Sequence, residues 1–165
     1  MRFEIDVNIR ATPDVVWQFI TDARAMGGCV AGLESLDVVE PGRFLATLIV
    51  PVGQVRLPCA AEGAWLDRTA PWQAALQVRV AVGPPTAIQG AEHQIVAHNR
   101  MHLVNGTAGV TRMQWRMDVH LWGNYAGIPP HLLHPIIQKQ SLSFFTCLKH
   151  QIENQAIPAK PHPNV

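Results

Sequence analysis

The longest periodic pattern lies near the end of the chain, from Pro130 to about Asn154. Apolar residues recur there at spacings of three and four, with polar residues between them, which predicts one amphipathic helix. Prolines stand at its start, where N–H groups have no helical partner, and Pro158 follows its end. Such a helix would be about 37 Å long, enough to cross a small sheet. The face that we expect to be buried carries Leu133, Ile137, Ser141, Phe144, Phe145, Leu148 and Ile152.

Most of the preceding chain alternates between apolar and polar residues with a period of two, which is typical of strands with one buried face. Residues 2–9 form the first such strand, and residues 11–22 and 23–30 predict two short helices after it. Residues 32–84 carry a run of further strands. The side chains that we expect to face inward along all the later strands include Phe44, Leu57, Cys59, Leu76, Val78, Asn99, Met101, Met113, Trp115 and Met117.

The last two strands, residues 95–103 and 110–121, flank an Asn-Gly turn signal at 105–106 and predict a hairpin. Before them, residues 83–90 have no period and predict a loop or an interruption in the sheet. The order is therefore strand, two short helices, about six consecutive antiparallel strands and a long helix. We expect an α+β fold in which a curved seven-stranded antiparallel sheet wraps around the C-terminal helix.

Composition sets the wider limits of this prediction. The chain has 165 residues, of which 48% are hydrophobic and 15% charged, and its net charge is +1. We expect a single domain over residues 1–156 and a disordered, proline-rich tail over residues 157–165. The low charge favours a ligand cavity, a partner surface or a homodimer. No basic run suggests nucleic acid, and no signal peptide or transmembrane segment is apparent.

The candidate chemistry is sparse. Cys29, Cys59 and Cys147 are widely spaced and form no CxxC pair, so we expect buried free thiols in a reducing, cytoplasmic compartment. The histidines form no metal-binding motif, and no cofactor fingerprint or nucleophile elbow is present. The acidic residues of the strands fall on polar faces, which argues against acid–base catalysis. Asn99 and Ser141 lie on apolar faces, where each would either bond to the backbone or orient a ligand.

The order of elements also resembles the CoxG family, which is named after carbon monoxide dehydrogenase and belongs to the START-like, helix-grip superfamily. The resemblance covers roughly residues 3–155. Two departures are Ala31, where members commonly have proline, and residues 83–92, which are commonly glycine-rich and lie near the cavity mouth. Some members carry a C-terminal extension thought to reach the membrane, which we do not expect here. The matching residues are Pro13, Val16, Trp17, Asp22, Cys29, Gly32, Glu34, Ser35, Val52, Gly53, Phe144 and Phe145.

The resemblance implies a cavity between the sheet and the long helix. It also implies a carrier or adaptor for a hydrophobic small molecule, with a lipid or quinone as cargo and a molybdenum hydroxylase as partner. We expect no cofactor and no metal ion. The candidate wall of the cavity is Phe44, Leu57, Cys59, Leu76, Val78, Asn99, Met101, Met113, Trp115, Met117, Ile137, Ser141, Phe144 and Leu148.

Two alternatives stay open at this stage. The first is a small cyclase-, hydratase- or isomerase-like enzyme that uses the shape of the cavity and one polar residue such as Asn99. The second is a protein-interaction module with a filled core, whose contact surface would include Trp122, Tyr125 and Leu142.

Overall fold

The computed structural model describes residues 1–90, 94–123 and 128–156. The predicted tail, residues 157–165, therefore lies outside the described residues, and the single domain stays a prediction. The elements are β1 (Arg2–Ile9), α1 (Pro13–Ile20), α2 (Ala23–Gly27), β2 (Leu33–Glu40), β3 (Arg43–Val52), β4 (Val55–Thr69), β5 (Gln73–Val82), a 3₁₀ helix (Pro85–Ile88), β6 (Gln94–Asn105), β7 (Thr111–Trp122) and α3 (Pro130–Ala156).

The seven strands form one curved antiparallel sheet in the order β1-β7-β6-β5-β4-β3-β2, as predicted. Strands β2 to β7 are consecutive neighbours, because short connections pair each strand with the next one. Strand β1 then pairs with β7 and becomes the other edge. Three ion pairs on the outer face join this edge strand to β7, namely Arg2–Asp118, Arg112–Asp6 and Arg116–Glu4.

Helix α3 packs on β1 and α1, across the inner face of the sheet. Its C-terminal half carries Leu148 and Ile152, which are fully buried. They form one cluster with residues from the first third of the chain and from the end of the last hairpin. This packed core fills the space under the second half of α3, and its other fully buried apolar members are Ile9, Val16, Ile20 and Met113.

The cysteine prediction was wrong for two of the three residues. Cys29, which follows α2, and Cys147 of α3 form a disulfide with a Cα–Cα distance of 5.5 Å. They are 118 residues apart in the chain, so spacing alone gave no sign of the pair. Cys59 alone is a free thiol, and it is buried. The expectation of a reducing compartment was based on free thiols, and Cys29 and Cys147 no longer support it.

Residues 83–90 were predicted as a loop or an interruption in the sheet; they do interrupt it between β5 and β6, but they also include the 3₁₀ helix, which was not predicted. Its Ile88 is buried against Ala60 and Ala81, which face each other in β4 and β5. Because their neighbours Cys59 and Val80 face the inside, these two alanines lie on the outer face. The 3₁₀ helix therefore folds onto the outside of the sheet.

Candidate functional site

A cavity of about 720 Å³ lies between the sheet and the N-terminal half of α3. Strands β2 to β7 supply its floor, and α2 with the segment after it supplies one side. Gly27 permits this side wall to approach β2, since an added Cβ would lie 3.1 Å from Leu36 Cδ1 and 3.2 Å from Leu33 Cδ2. The volume is within the range of small-molecule sites.

Eleven of the predicted wall residues line this cavity, because strand alternation and helix periodicity correctly indicate which side chains face inward. Whether they contact a ligand stays a prediction. The eleven are Phe44, Leu57, Cys59, Leu76, Val78, Asn99, Trp115, Met117, Ile137, Ser141 and Phe144.

The other three predicted wall residues, Met101, Met113 and Leu148, also face inward but do not line the cavity. They belong to the packed core, where Met113 and Leu148 are fully buried. Alternation shows which face a side chain occupies, but it does not show where along the strand the helix packs down onto the sheet. The place where α3 meets the sheet is set by α1 and β1, which hold the second half of α3 close to the sheet.

Sequence reasoning missed a second group of lining residues. Those of α2 were predicted only as part of a short helix, and most of those of β2 and β3 only as part of a run of strands. Leu48, Val50 and Val52 lie on the same side of β3 as Phe44, so the alternation signal that identified Phe44 could also have identified them. The missed residues include Met26, Gly27, Leu33, Leu36, Leu48, Val50, Val52, Ile136 and Gln140.

Asn99 is the buried polar group of the cavity floor. Its Oδ1 accepts a hydrogen bond of 3.0 Å from Trp115 Nε1, and its Nδ2 donates to the Leu76 carbonyl at 3.3 Å and to the Ala97 carbonyl at 3.4 Å. The amide is therefore engaged within the protein, as expected for a buried polar side chain. The hydrogen bond from Trp115 to this amide fixes the orientation of the indole ring.

Aromatic rings form the wall next to this amide. Trp115 and Phe145 meet edge to face with centroids 5.1 Å apart, and Phe145 meets Phe144 in the same way at 5.2 Å. Such edge-to-face contacts stabilise a defined ring geometry. Phe44 lies on the floor over Gly63, where a Cβ would clash with its ring. The cavity therefore has an aromatic region of defined geometry, and Met26 and Met117 also line it.

The lining carries no charged side chain among the described residues. Gln140 and Ser141 of α3 add polar atoms on the helix side. Burial raises the pKa of the Cys59 thiol, so this cysteine is protonated at neutral pH and is a poor nucleophile. Within the described parts of the chain, no three His, Cys, Asp or Glu side chains are placed to hold a metal ion. The described lining therefore offers no counter-ion to a bound charge.

None of the histidines in the described parts of the chain lines this cavity. His98 and His120 meet edge to face on the outer side of the sheet, with ring centroids 5.8 Å apart. His134 contacts Phe3 with centroids 4.9 Å apart. Of the predicted interaction surface, Trp122 and Leu142 are exposed, and Tyr125 lies outside the described residues.

Several solved structures share this architecture. A conserved protein from Geobacillus kaustophilus is 17% identical with a TM-score of 0.79, covering 94% of this chain and 97% of that one. A START superfamily protein from Mycobacterium smegmatis is 12% identical with a TM-score of 0.66, covering 93% and 98%. The ZhuI aromatase/cyclase from Streptomyces sp. R1128 is 15% identical with a TM-score of 0.67, covering 100% and 99%. The fold is therefore START-like, of the helix-grip type.

Within this class, the model of the carbon monoxide dehydrogenase CoxG family matches residues 6–153. The chain belongs to that family, as its sequence pattern predicted. No curated protein matches it. No helix in the described residues is long and apolar enough to cross a membrane.

Proposed function

We propose that this protein binds and carries a neutral hydrophobic small molecule, of the lipid or quinone type, in the cavity between the sheet and α3. The observation that carries the proposal is a large cavity whose described lining is almost entirely apolar and holds no charged side chain. Ligand sites of this size typically combine apolar walls with a few polar groups that fix orientation. Membership of the CoxG family supports the same function.

The electrostatics of the wall restrict the cargo further. An ionised carboxylate in the cavity would lose its hydration and find no cation in the described lining, so its burial would cost on the order of several kcal/mol. A carbonyl or hydroxyl is far less costly and needs one hydrogen-bond partner. Gln140 and Ser141 lie on the helix side of the cavity, where either can supply that partner.

Binding without catalysis is the better-supported alternative. The enzyme hypothesis relied on Asn99, but both ends of its amide are engaged with Trp115 and the Leu76 carbonyl. Cys59, the titratable side chain in the described lining, has a raised pKa and would react poorly as a nucleophile. Similarity to an aromatase/cyclase extends to the fold, which many unrelated activities share.

We further propose that the carrier serves a molybdenum hydroxylase of the carbon monoxide dehydrogenase type. The family name supports this partner. The exposed Trp122 and Leu142 are candidates for contact, although they lie on separate elements, β7 and α3. Co-purification of the two proteins, with loss of the complex in Trp122→Ala or Leu142→Ala, would test this partnership.

Native mass spectrometry of the purified protein, followed by organic extraction, tests the binding function. An added mass that matches a neutral lipid or quinone is expected. Ser141→Phe would fill the cavity and abolish the added mass, whereas Ser143→Phe makes the same change at an exposed position of α3 and should retain it. A bare polypeptide mass, together with no thermal shift from a panel of neutral apolar ligands, would overturn the proposal in favour of an interaction module.

A further inference from the structure

The outer face of the sheet carries an open cavity of its own, of about 590 Å³, over β5, β6 and β7. Polar and aromatic side chains line it, including Gln77, Arg79, His98, His120 and Trp122. Gln77 and His98 lie directly opposite each other in the ladder of β5 and β6. Because successive side chains of a strand point to opposite faces, the sheet separates this cavity from the one under α3.

The two middle strands of this face carry positive charge without any negative charge. Neither β5 nor β6 contains an acidic residue. The side chains of these strands that can be positively charged are Arg79, His98, Arg100 and His102. Alternation places all four on the outer face, since their neighbours along the strands face the cavity or the core. Both arginines are exposed, and Glu92, shortly before β6, lies outside the described residues.

The carboxylates of the flanking strands do not neutralise this charge. Glu62 of β4 lies opposite Arg79 in the ladder. Asp118 of β7 lies opposite His98. Each of these carboxylates is engaged by another arginine, and neither Arg79 nor Arg100 makes an ion pair with any residue that the structure describes. The pairs that engage the two carboxylates are Arg43–Glu62 at 3.0 Å and Arg2–Asp118 at 2.7 Å.

The spacing of the two arginines indicates what they can bind. Arg79 lies opposite Val96, and Arg100 follows Val96 by four residues along β6, so their Cα atoms are roughly 14 Å apart. A single small anion would neutralise one of them, whereas a segment that carries several carboxylates can pair with both. Trp122, 63% of whose surface is accessible, lines the same cavity and adds an exposed aromatic surface.

We propose that this outer face of β5, β6 and β7 docks an acidic segment of a partner protein that also carries aromatic side chains. Arg79 and Arg100 pair with its carboxylates, and Trp122 packs against an aromatic ring. Tryptophan and arginine are enriched among the residues that contribute most to binding at protein interfaces. The net charge of only +1 argues against nucleic acid as the occupant. This docking goes beyond the carrier function and does not depend on the cargo, because the sheet separates the two cavities.

Fluorescence polarisation with a labelled synthetic peptide of repeated Glu-Glu-Tyr-Glu units tests the docking. The wild type should bind it at low salt, bind it less tightly as salt rises, and bind little of a control peptide with glutamine in place of glutamate. Arg79→Gln and Arg100→Gln should each weaken binding by about threefold, and Trp122→Ala by about tenfold. The matched control Arg24→Gln removes the same charge from an exposed position of α2 and should bind like the wild type.

Failure of the wild type to bind the acidic peptide would overturn the docking, as would an equal loss in Arg24→Gln, which would show a general effect of charge. Equally tight binding of a single-stranded DNA oligonucleotide would also overturn it, since the surface would then not select a protein segment. Native mass spectrometry of the same variants separates this surface from the carrier function. None of the substituted residues lines the cavity under α3, so any bound cargo should be retained. Loss of cargo in these variants would overturn their assignment to a separate surface.

Discussion

The side chain of Asn99 connects three neighbouring strands. It lies in β6, accepts from the Trp115 indole in β7 and donates to the Leu76 carbonyl in β5. Both partners are buried with it. A polar group in this position stabilises the floor of the cavity only while every atom has its partner.

We therefore expect Asn99→Ala to lower the free energy of unfolding by about 1–3 kcal/mol, because the Trp115 N–H would be buried without an acceptor. Urea denaturation of both single variants and of the double variant with Trp115→Phe measures the effect. The cost of Asn99→Ala should be smaller in the Trp115→Phe background, since no indole N–H is then left unpaired. If the stability losses of the two single variants simply add in the double variant, the hydrogen bond between Trp115 and Asn99 would be contradicted.

Glu153 is another residue whose partners come from distant parts of the chain. Its carboxylate accepts from the backbone N–H of Arg10 at 3.0 Å and pairs with Lys149 at 3.0 Å and the Arg10 guanidinium at 3.4 Å. The backbone hydrogen bond from Arg10 is the main cause that lowers the pKa of Glu153 to about 2. Lys149 also donates to the Asn8 carbonyl. These bonds hold the end of α3 to the end of β1.

A lowered folded-state pKa stabilises the protein above the unfolded-state pKa, near 4.5, and this contribution is lost as pH falls toward 2. We expect Glu153→Gln to reduce the free energy of unfolding by roughly 1–3 kcal/mol at neutral pH and progressively less below pH 4.5. Urea denaturation of the wild type and the variant between neutral pH and acid pH measures this difference. Glu34→Gln, at an exposed carboxylate for which the described residues show no ion pair, serves as control and should change stability little. A constant difference down to acid pH would contradict the assignment.

At the scale of elements, the disulfide joins the segment after α2 to α3, and both of these elements line the cavity. Cross-linking residues 118 apart restricts the unfolded chain strongly. It also ties the side wall of the cavity to its helix, in a region where Gly27 lets α2 pack closely on β2.

Replacing both cysteines, as Cys29→Ser with Cys147→Ser, should lower the free energy of unfolding by about 2–5 kcal/mol. Urea denaturation with and without a reductant measures this. Reductant should destabilise the wild type to a similar degree and leave the double variant unchanged. Thiol titration of the denatured wild-type protein should find one free thiol, that of Cys59. Three free thiols in protein purified without reductant would contradict the disulfide.

At the scale of the whole molecule, the sheet and α3 converge at one end and separate at the other. The converging end is filled by the core, and the separating end holds the cavity. This division assigns stability and binding to different parts of the same inner face. Substitutions under the second half of α3 should therefore act mainly on folding, and those under the first half mainly on ligand affinity.

The absence of charge in the described lining leads to a test with matched ligands. Stearyl alcohol should bind at least about tenfold more tightly than stearate at neutral pH, because burial of the ionised carboxylate is costly. Methyl stearate, a neutral ester with the same chain, should bind like the alcohol. Displacement of a fluorescent apolar probe measures all three affinities. Equal affinity for stearate would mean that a cation reaches the bound ligand.

Much of this fold could be predicted because the alternation of apolar and polar residues along each strand indicates which face is buried. Thr111, Met113, Trp115 and Met117 alternate with Arg112, Gln114 and Arg116, and the structure places the first set inward and the second outward. Local turns made the strands consecutive neighbours, so their order followed as well. The 3₁₀ helix was missed because its stability comes from Ile88 packing on two distant alanines rather than from a local pattern.

The sequence by itself determined the order of elements, the inward face of nearly every strand and the apolar character of what they enclose. These properties depend on residues that are close in the chain, through periods of two and 3.6. Only the tertiary structure decided that Met101, Met113 and Leu148 fill the core while Ile136 and Gln140 line the cavity, and that Cys29 meets Cys147. Each of these outcomes depends on the distance between α3 and the sheet, which is set by contacts among residues far apart in the chain.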